Sequence, residues 1–491
     1  MTAQKPTHTR TLPPLQLRVG ELTIAVPPTL NAITTYVLLE QEDWFEKEVR
    51  FLRRFIKSGM TAIDVGANLG VYSLLLAQLA GPRGRVFAYE PGAEARALLE
   101  QSRVLNNLGH IEIIDRALSD GERDSRLKFA ASSELRALGN GDAGEPVRIT
   151  SLDAEGSARG WPSIDFIKID AEGEEERILV GGTNFFAVQS PLVMIEIKAV
   201  DRVNEGLCKL LPAIGYRLFR QIEGAAVLVP QEATQPLDPY ELNLFAAKPD
   251  RAKALAHQGL LVEALLPWAP SDEDRRRALA LWRRQKFATV KFPPHGTGVP
   301  GDAEYLNGLA AYAVWRSADR PIAQRCAALV SALQSLRAVC ARAPTAERES
   351  TWARVAWESG ARRECVAALM QLMKRLQGAP LRLTEAFWPA SPRFDRIAPG
   401  TRHSNWFIAA AAEQHERTAA HSSRFNGGTE SLGWLCGQPF ASMEMERRRV
   451  LLEACAGLHP VVPKRLCLIA PDHRNAEVWR TGLVPGTTLA A

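Results

Sequence analysis

The sequence predicts a doubly wound α/β sheet over residues 59–250, followed by a separate all-helical domain over 251–491. Three observations predict it. From Met60 onward, short apolar strands alternate with helical patterns, as repeated β-then-α units on a parallel sheet do. A Gly-rich turn, Gly66 to Gly70, joins the first of these strands to the first helix. Beyond about residue 250 the β pattern stops, and Ala/Leu/Arg-rich stretches with helical periodicity replace it.

Residues 1–58 form a lead-in. Met1 to Pro14 is polar and Thr/Pro-rich and reads as a frayed end. Residues 15–30 alternate around Gly20-Glu21, as a hairpin does, and 31–57 place Val37, Leu38, Trp44, Phe45, Val49, Leu52 and Phe55 at the spacing of one helix. Strands follow at Met60–Val65, Arg85–Tyr89, Ile111–Asp115, Ile164–Ile169, Leu192–Ile197, Tyr216–Arg220 and Ala226–Val229. Helices fall at Leu69–Leu79, Ala93–Asn106, Glu174–Phe186 and near 203–213. In the helical part, Pro/Gly-rich breaks occur at 293–301 and 389–400, and 351–376 resembles one tetratricopeptide-type hairpin through Ala353, Ala356, Gly360 and Ala368.

The bulk properties exclude several classes. The chain has 491 residues, of which 46% are hydrophobic and 23% charged, which excludes a disordered tail, a collagen-like fibre and a multi-span membrane protein. Its 60 cations face 55 anions without a long block of one sign, so no nucleic-acid partner is expected. The seven cysteines form no C-x-x-C pair and fit reduced thiols in a cytoplasmic protein. The nine histidines show no zinc-ligand spacing. No window has the ~18 apolar residues of a membrane span, and the N-terminus lacks the apolar core of a signal peptide.

The segment IDVGANLGVYSLLLA, Ile63 to Ala77, carries the first chemical signal. Gly66 and Gly70 admit a ligand close to the backbone, and the helix behind them offers free N–H groups and a positive dipole end. A dinucleotide fingerprint wants G-x-G-x-x-G, and here its middle glycine is missing. Asp64, just before the turn, would repel a pyrophosphate and suits the ammonium and sulfonium of S-adenosylmethionine. Glu90 lies 20 positions after Gly70, where an acid binds ribose hydroxyls. Asp115 ends the third strand, and it and the residues after it, Ala117 among them, are expected to flank the adenine.

The set IDVGANLG (63–70), FAYEP (87–91), SLD (151–153), FIKIDAEGEE (166–175) and MIEI (194–197) resembles the FkbM-type methyltransferase family, over about 60–200. The resemblance implies a class I, Rossmann-like S-adenosylmethionine fold and methylation of a hydroxyl on a sugar, glycan or natural product. It implies that Asp64, Gly66, Asn68 and Gly70 line the methionine end of the cofactor, that Glu90 holds the ribose, and that Asp170 and Glu172 lie nearest the transferring methyl. Ala171 stands where the family often shows Val. The region beyond 250 inherits nothing from this resemblance.

A hydroxyl is a poor nucleophile, so a base or a metal must help remove its proton. If the strand FIKI runs on, Asp170 and Glu172 share a face. Asp170 is then either the base or, with Glu172 or Glu196, an oxygen ligand of Mg²⁺. Glu174 to Glu176 read as acids at a helix N-terminus. Lys168, two residues before Asp170, can share its face and pair with it, either in a catalytic role or as a strand-end salt bridge. Glu196, in the apolar run MIEI, should contact substrate or pair with Lys198 or Arg217. Trp44, Tyr72 and Trp161 read first as packing. Two further readings stay open: a non-catalytic S-adenosylmethionine-binding scaffold acting through its helical half, and a nicotinamide-dependent oxidoreductase. Residues 251–491 offer a surface for a protein partner or self-association.

Overall fold

The computed structural model describes residues 12–128, 136–139, 143–199, 202–232, 235–289, 302–378, 381–470 and 473–489. Most of the polar N-terminal tail and the break at 293–301 lie outside them. The chain opens with the expected hairpin, β1 (Leu15–Val19) and antiparallel β2 (Leu22–Val26). The single helix expected over 31–57 is two, α1 (Ile33–Gln41) and α2 (Glu48–Phe55). Glu42 divides them. Its backbone is left-handed, at φ 57°, a conformation that costs a non-glycine residue roughly 1–2 kcal/mol. Its carboxylate accepts the backbone N–H groups of Arg474 and Asn475 at 2.7 and 2.9 Å, which offsets that cost. The break turns Trp44 to Lys47 toward the sheet.

The main sheet comprises β3 (Thr61–Val65), β4 (Arg85–Tyr89), β5 (Ile111–Ile114), β6 (Phe166–Ile169), β7 (Leu192–Glu196), β8 (Arg217–Ile222), β9 (Val227–Pro230) and β10 (Asn243–Ala247). Their spatial order is β9-β8-β10-β7-β6-β3-β4-β5. Strands β3 to β7 pair in parallel, as the alternating pattern predicted. Strand β10, absent from the sequence reading, inserts antiparallel between β7 and β8. Alternate residues serve opposite faces. Ala62, Phe166, Met194 and Phe245 join one core, and Ile63, Ile167, Val193 and Leu244 the other. The strand order reverses between β3 and β6, so the carboxyl ends of these two strands mark the switch point where doubly wound sheets bind ligands.

The helix expected over Glu174–Phe186 is also two, Glu175–Val180 and Thr183–Val188. The break falls at Gly181-Gly182, where a Cβ on Gly181 would lie 2.2 Å from the carbonyl oxygen of Ser119. The irregular stretch between β5 and β6 folds as a small four-stranded sheet over residues 116–150.

Past β10 the chain is helical, with the predicted hairpin formed by Ala346–Glu358 and Arg362–Gly378. It departs from all-helical in a two-residue parallel ladder, Val461–Val462 with Thr488–Leu489. Pro460 and Pro463 flank the first of these segments and bar a helix there. The helical region shares its core with the sheet: Ile222, Val227 and Val229 pack among its helices. Val450, Leu451 and Trp479 join the cluster that holds β1 and β2. Among the described residues no helix is long and apolar enough to cross a membrane. All seven cysteines are free thiols.

Candidate active site

At the switch point the two motifs meet. Parallel register sets Asp64 of β3 beside Lys168 of β6, and the Asp170 N–H donates to the Val65 carbonyl at 3.2 Å. Gly66 is left-handed at φ 77°, and a Cβ there would lie 1.8 Å from the carbonyl oxygen of Asp170. Only glycine allows this approach. Gly70, at φ 86°, begins the helix Val71–Ala80, whose N-terminus no side chain caps.

These loops line a cavity of about 670 Å³, in the size range of sites for ligands as large as nucleosides. Asp64, Gly66, Asn68, Glu90, Ala117, Lys168, Asp170, Glu172 and Glu196 all line it. Asp115 does not. It lies beyond the end of β5 and pairs with Arg148 at 2.8 Å, both half-exposed. Gly70 acts from behind, where its missing side chain makes room for Leu99. Trp44 and Tyr72 reach the cavity, whereas Trp161 packs against Phe87 and Phe185.

The electrostatics are those of a buried acidic site. Seven carboxyl groups (Glu46, Asp64, Glu90, Asp170, Glu172, Glu174, Glu196) line the cavity against four cationic side chains (Arg116, Arg136, Lys168, Lys198). Burial pushes Asp64 above the ordinary aspartate range although Ser73 donates to its Oδ2 at 2.6 Å. Its Oδ1 and the Oδ1 of Asn68 are buried without hydrogen-bond partners. Glu90 accepts the N–H groups of Asn68 and Gly92 at 2.8 and 2.7 Å, yet burial raises it to about 7. Lys168 stands at the centre. Its Nζ lies 2.7 Å from Asp170 and 4.9 Å from the Tyr72 ring centroid. Burial opposes its charge, but Asp170, Asp64 and Glu46 outweigh that and hold it above the ordinary lysine range.

Glu196 hydrogen-bonds to Asp170 rather than to the Lys198 or Arg217 partner expected from sequence. Burial, then the charge of Asp170, drives its pKa far upward. Strand β6 ends at Ile169, and Glu172 sits in a turn at φ 50°, so the shared-face argument for Asp170 and Glu172 does not describe their geometry. Glu175, read from sequence as helix decoration, braces this turn by accepting the N–H groups of Ala171 and Gly173. The donor set does not fit a divalent cation at Asp170: the Lys168 ammonium already occupies the position of the countercharge. Among the described residues no group of three or more His, Cys, Asp or Glu side chains is arranged to hold a metal.

Sequence reasoning missed Glu46. It accepts from Trp44 Nε1, Tyr72 Oη and Asn243 Nδ2 at 2.9, 2.7 and 2.7 Å, and burial raises its pKa. It also missed Tyr240, His421 and Phe425, the last two from the helical region.

Residues 64–218 match the methyltransferase FkbM domain family. The match takes in the Gly66–Gly70 turn, Glu90, Asp170 and Glu196, and the matched family is one of methyltransferases. Among solved structures, the chain resembles the FkbM methyltransferase of Methylobacillus flagellatus at 17% identity over 38% of this chain and 43% of that one, with a TM-score of 0.27. It thus spans less than half of that relative. A structure titled as a putative rRNA methylase from Clostridium thermocellum matches at 12% identity over 41% of this chain and 91% of that one, TM-score 0.27. A S-adenosylmethionine-dependent O-methyltransferase from Thermotoga maritima matches at 16% over 48% and 78%, TM-score 0.26. No curated protein matches the chain.

The sheet around the matched residues has the doubly wound order, with one antiparallel strand, β10, inserted near the far edge beyond the match. The site fits the cofactor of this family. Asp64 and Asn68 line the cavity and each carries a buried oxygen without a hydrogen-bond partner, and the acidic excess of the lining complements a ligand bearing an ammonium and a sulfonium.

Proposed function

We propose that the protein O-methylates a hydroxyl of a sugar, glycan or natural product, with Asp170 as the base. The observation that carries this reading is the triad Lys168–Asp170–Glu196, which lies between the cofactor end of the cavity and its aromatic far end. S-adenosylmethionine, when bound, supplies the methyl group and a neutral thioether as leaving group. Asp64, Asn68 and the turn Gly66–Gly70 would hold the methionine end of that cofactor, Glu90 would hold the ribose hydroxyls, and Ala117 would flank the adenine. Glu196, whose carboxyl burial keeps protonated, donates to Asp170, and Asp170, paired with Lys168, accepts the acceptor's hydroxyl proton. As the hydroxyl oxygen takes the methyl group its proton moves to Asp170, so the triad passes from net zero to a net positive charge on Lys168, which the nearby acids Asp64 and Glu46 offset. Mass spectrometry of extracts incubated with the protein and labelled cofactor tests the reading. It expects a methylated hydroxyl compound and one S-adenosylhomocysteine per product. Tight cofactor binding with no S-adenosylhomocysteine formed would leave the scaffold reading in its place.

Glu90 yields a pH prediction. Its carboxyl is raised from 4.5 to about 7 in the folded chain, so between these values the folded state binds more protons than the unfolded one. Its contribution to stability therefore falls as pH rises through that window. Ribose hydroxyls donate to the ionised form, so a bound nucleoside favours deprotonation. Affinity for S-adenosylhomocysteine is expected to rise about tenfold from pH 6 to pH 8, with proton release on binding. Calorimetry in buffers of different ionisation heat measures both quantities, and Glu90→Gln should flatten the profile.

A further inference from the structure

The cavity has two unlike ends. The cofactor end lies over β3, β4 and β5, and the other lies over β6, β7 and β10, past Asp170 and Glu196. The far end is walled by rings from both halves of the chain. Phe45 packs on Trp44, His421 and Phe425 at 4.7, 5.4 and 6.4 Å between centroids, and His421 meets Tyr240 at 6.4 Å. His421 is not poised to titrate. Its Nδ1 lies 2.7 Å from Arg362 Nη1, and since a guanidinium only donates, Nδ1 accepts and the ring is neutral. Burial and the Arg362 charge hold it in that state. The segment is anchored from the first helix: Gln41 donates to the His421 carbonyl at 2.7 Å, and Glu40 accepts from the backbone N–H and hydroxyl of Ser423. This fixed backbone carries Phe425 to the cavity lining with 52% of its surface exposed and its ring against Phe45.

We infer that the helical region selects the methyl acceptor, with Phe425 and His421 joining Phe45 and Tyr240 in one aromatic wall that takes the flat apolar face of an uncharged ring whose hydroxyl faces Asp170. A neutral aromatic wall gains by covering such a face, which both a phenol and a sugar ring present. The Glu46 carboxyl group, which accepts three hydrogen bonds at the same end, disfavours an anionic acceptor. The inference rests on the reading of Asp170 as the methyl-transfer site.

Saturation-transfer NMR on the full chain with bound S-adenosylhomocysteine tests it. The probes are 4-methylcatechol and methyl β-glucoside, with 4-hydroxybenzoate as the charged counterpart. At least one neutral probe is expected to bind, at least tenfold more tightly than 4-hydroxybenzoate, and which of the two binds distinguishes aromatic from sugar acceptors. Phe425→Ala should weaken that probe at least tenfold and Phe425→Tyr should restore it, with S-adenosylhomocysteine affinity and melting temperature unchanged in both. A wild-type chain that binds neither neutral probe, that prefers the anion, or whose probe affinity survives Phe425→Ala would overturn the inference. Failure of the wild type to bind S-adenosylhomocysteine would instead overturn the methyl-transfer reading beneath it.

Discussion

Replacing Asp170 by Asn is expected to lower kcat by about 10²–10⁴, the usual contribution of a general base, while cofactor affinity changes by less than about threefold. The expectation follows from position. Asp170 meets the cofactor turn through its backbone, at Gly66 and Val65, and turns its carboxylate toward Lys168 and Glu196. Asn keeps the shape and can still bond to both neighbours, so the cavity survives, but an amide cannot take up the hydroxyl proton. The neighbouring acid separates this account from a structural one. If Glu196 holds the shared proton, Glu196→Gln presents the same donor to Asp170 and should retain activity within about tenfold, whereas Glu196→Ala should not. Because an ammonium fills the countercharge position, EDTA should leave turnover unchanged. Steady-state kinetics of the three variants, with binding followed by calorimetry, checks the set. Full turnover by Asp170→Asn would remove the base.

Much of the site could be read from local sequence, and the part that could not has a common cause. The segments IDVGANLG and FIKID each form a strand and its following turn, so the residue types that shape the backbone also place Asp64, Gly66 and Asp170. Parallel pairing then sets Lys168 beside Asp64, a register that follows once both strands are known. Glu46 was hidden because 31–57 has the spacing of one helix, and the break at Glu42 depends on backbone groups of residues 474 and 475. Strand β10 was missed because Asn243–Ala247 is short and uniformly buried, a pattern that carries no periodicity. Asp115 shows the opposite failure: its place at a strand end was legible, but the small sheet that follows draws it away to Arg148. Phe425 and His421 reach the cavity from far along the chain, and no motif marks them.

Lys168→Met is expected to destabilise the folded chain by about 3–5 kcal/mol, the cost of removing one partner from a buried ionic cluster. Methionine matches the aliphatic stem, so the loss is of charge rather than volume. The wild-type ammonium, 2.7 Å from Asp170 and within reach of Asp64 and Glu46, is held charged beyond the ordinary lysine range. Its stabilisation is therefore fully present from pH 5 to pH 9 and would be lost only as pH rises past that raised value. Without it, the surrounding acids repel one another unless protonated. Asp64, Glu46 and Glu196 are already pushed upward by burial, and removing the cation moves them further in the same direction. The variant then binds protons that the unfolded chain does not, so its deficit should be largest near pH 8 and shrink toward pH 5. Loss of packing alone would give a deficit that ignores pH, and Lys168→Arg, which keeps the charge, should recover most of the stability without restoring full activity in so confined a site. Thermal and denaturant unfolding of wild type, Lys168→Met and Lys168→Arg at the two pH values decides between these accounts, and a pH-independent deficit would count against the charge cluster as the element that Lys168 stabilises.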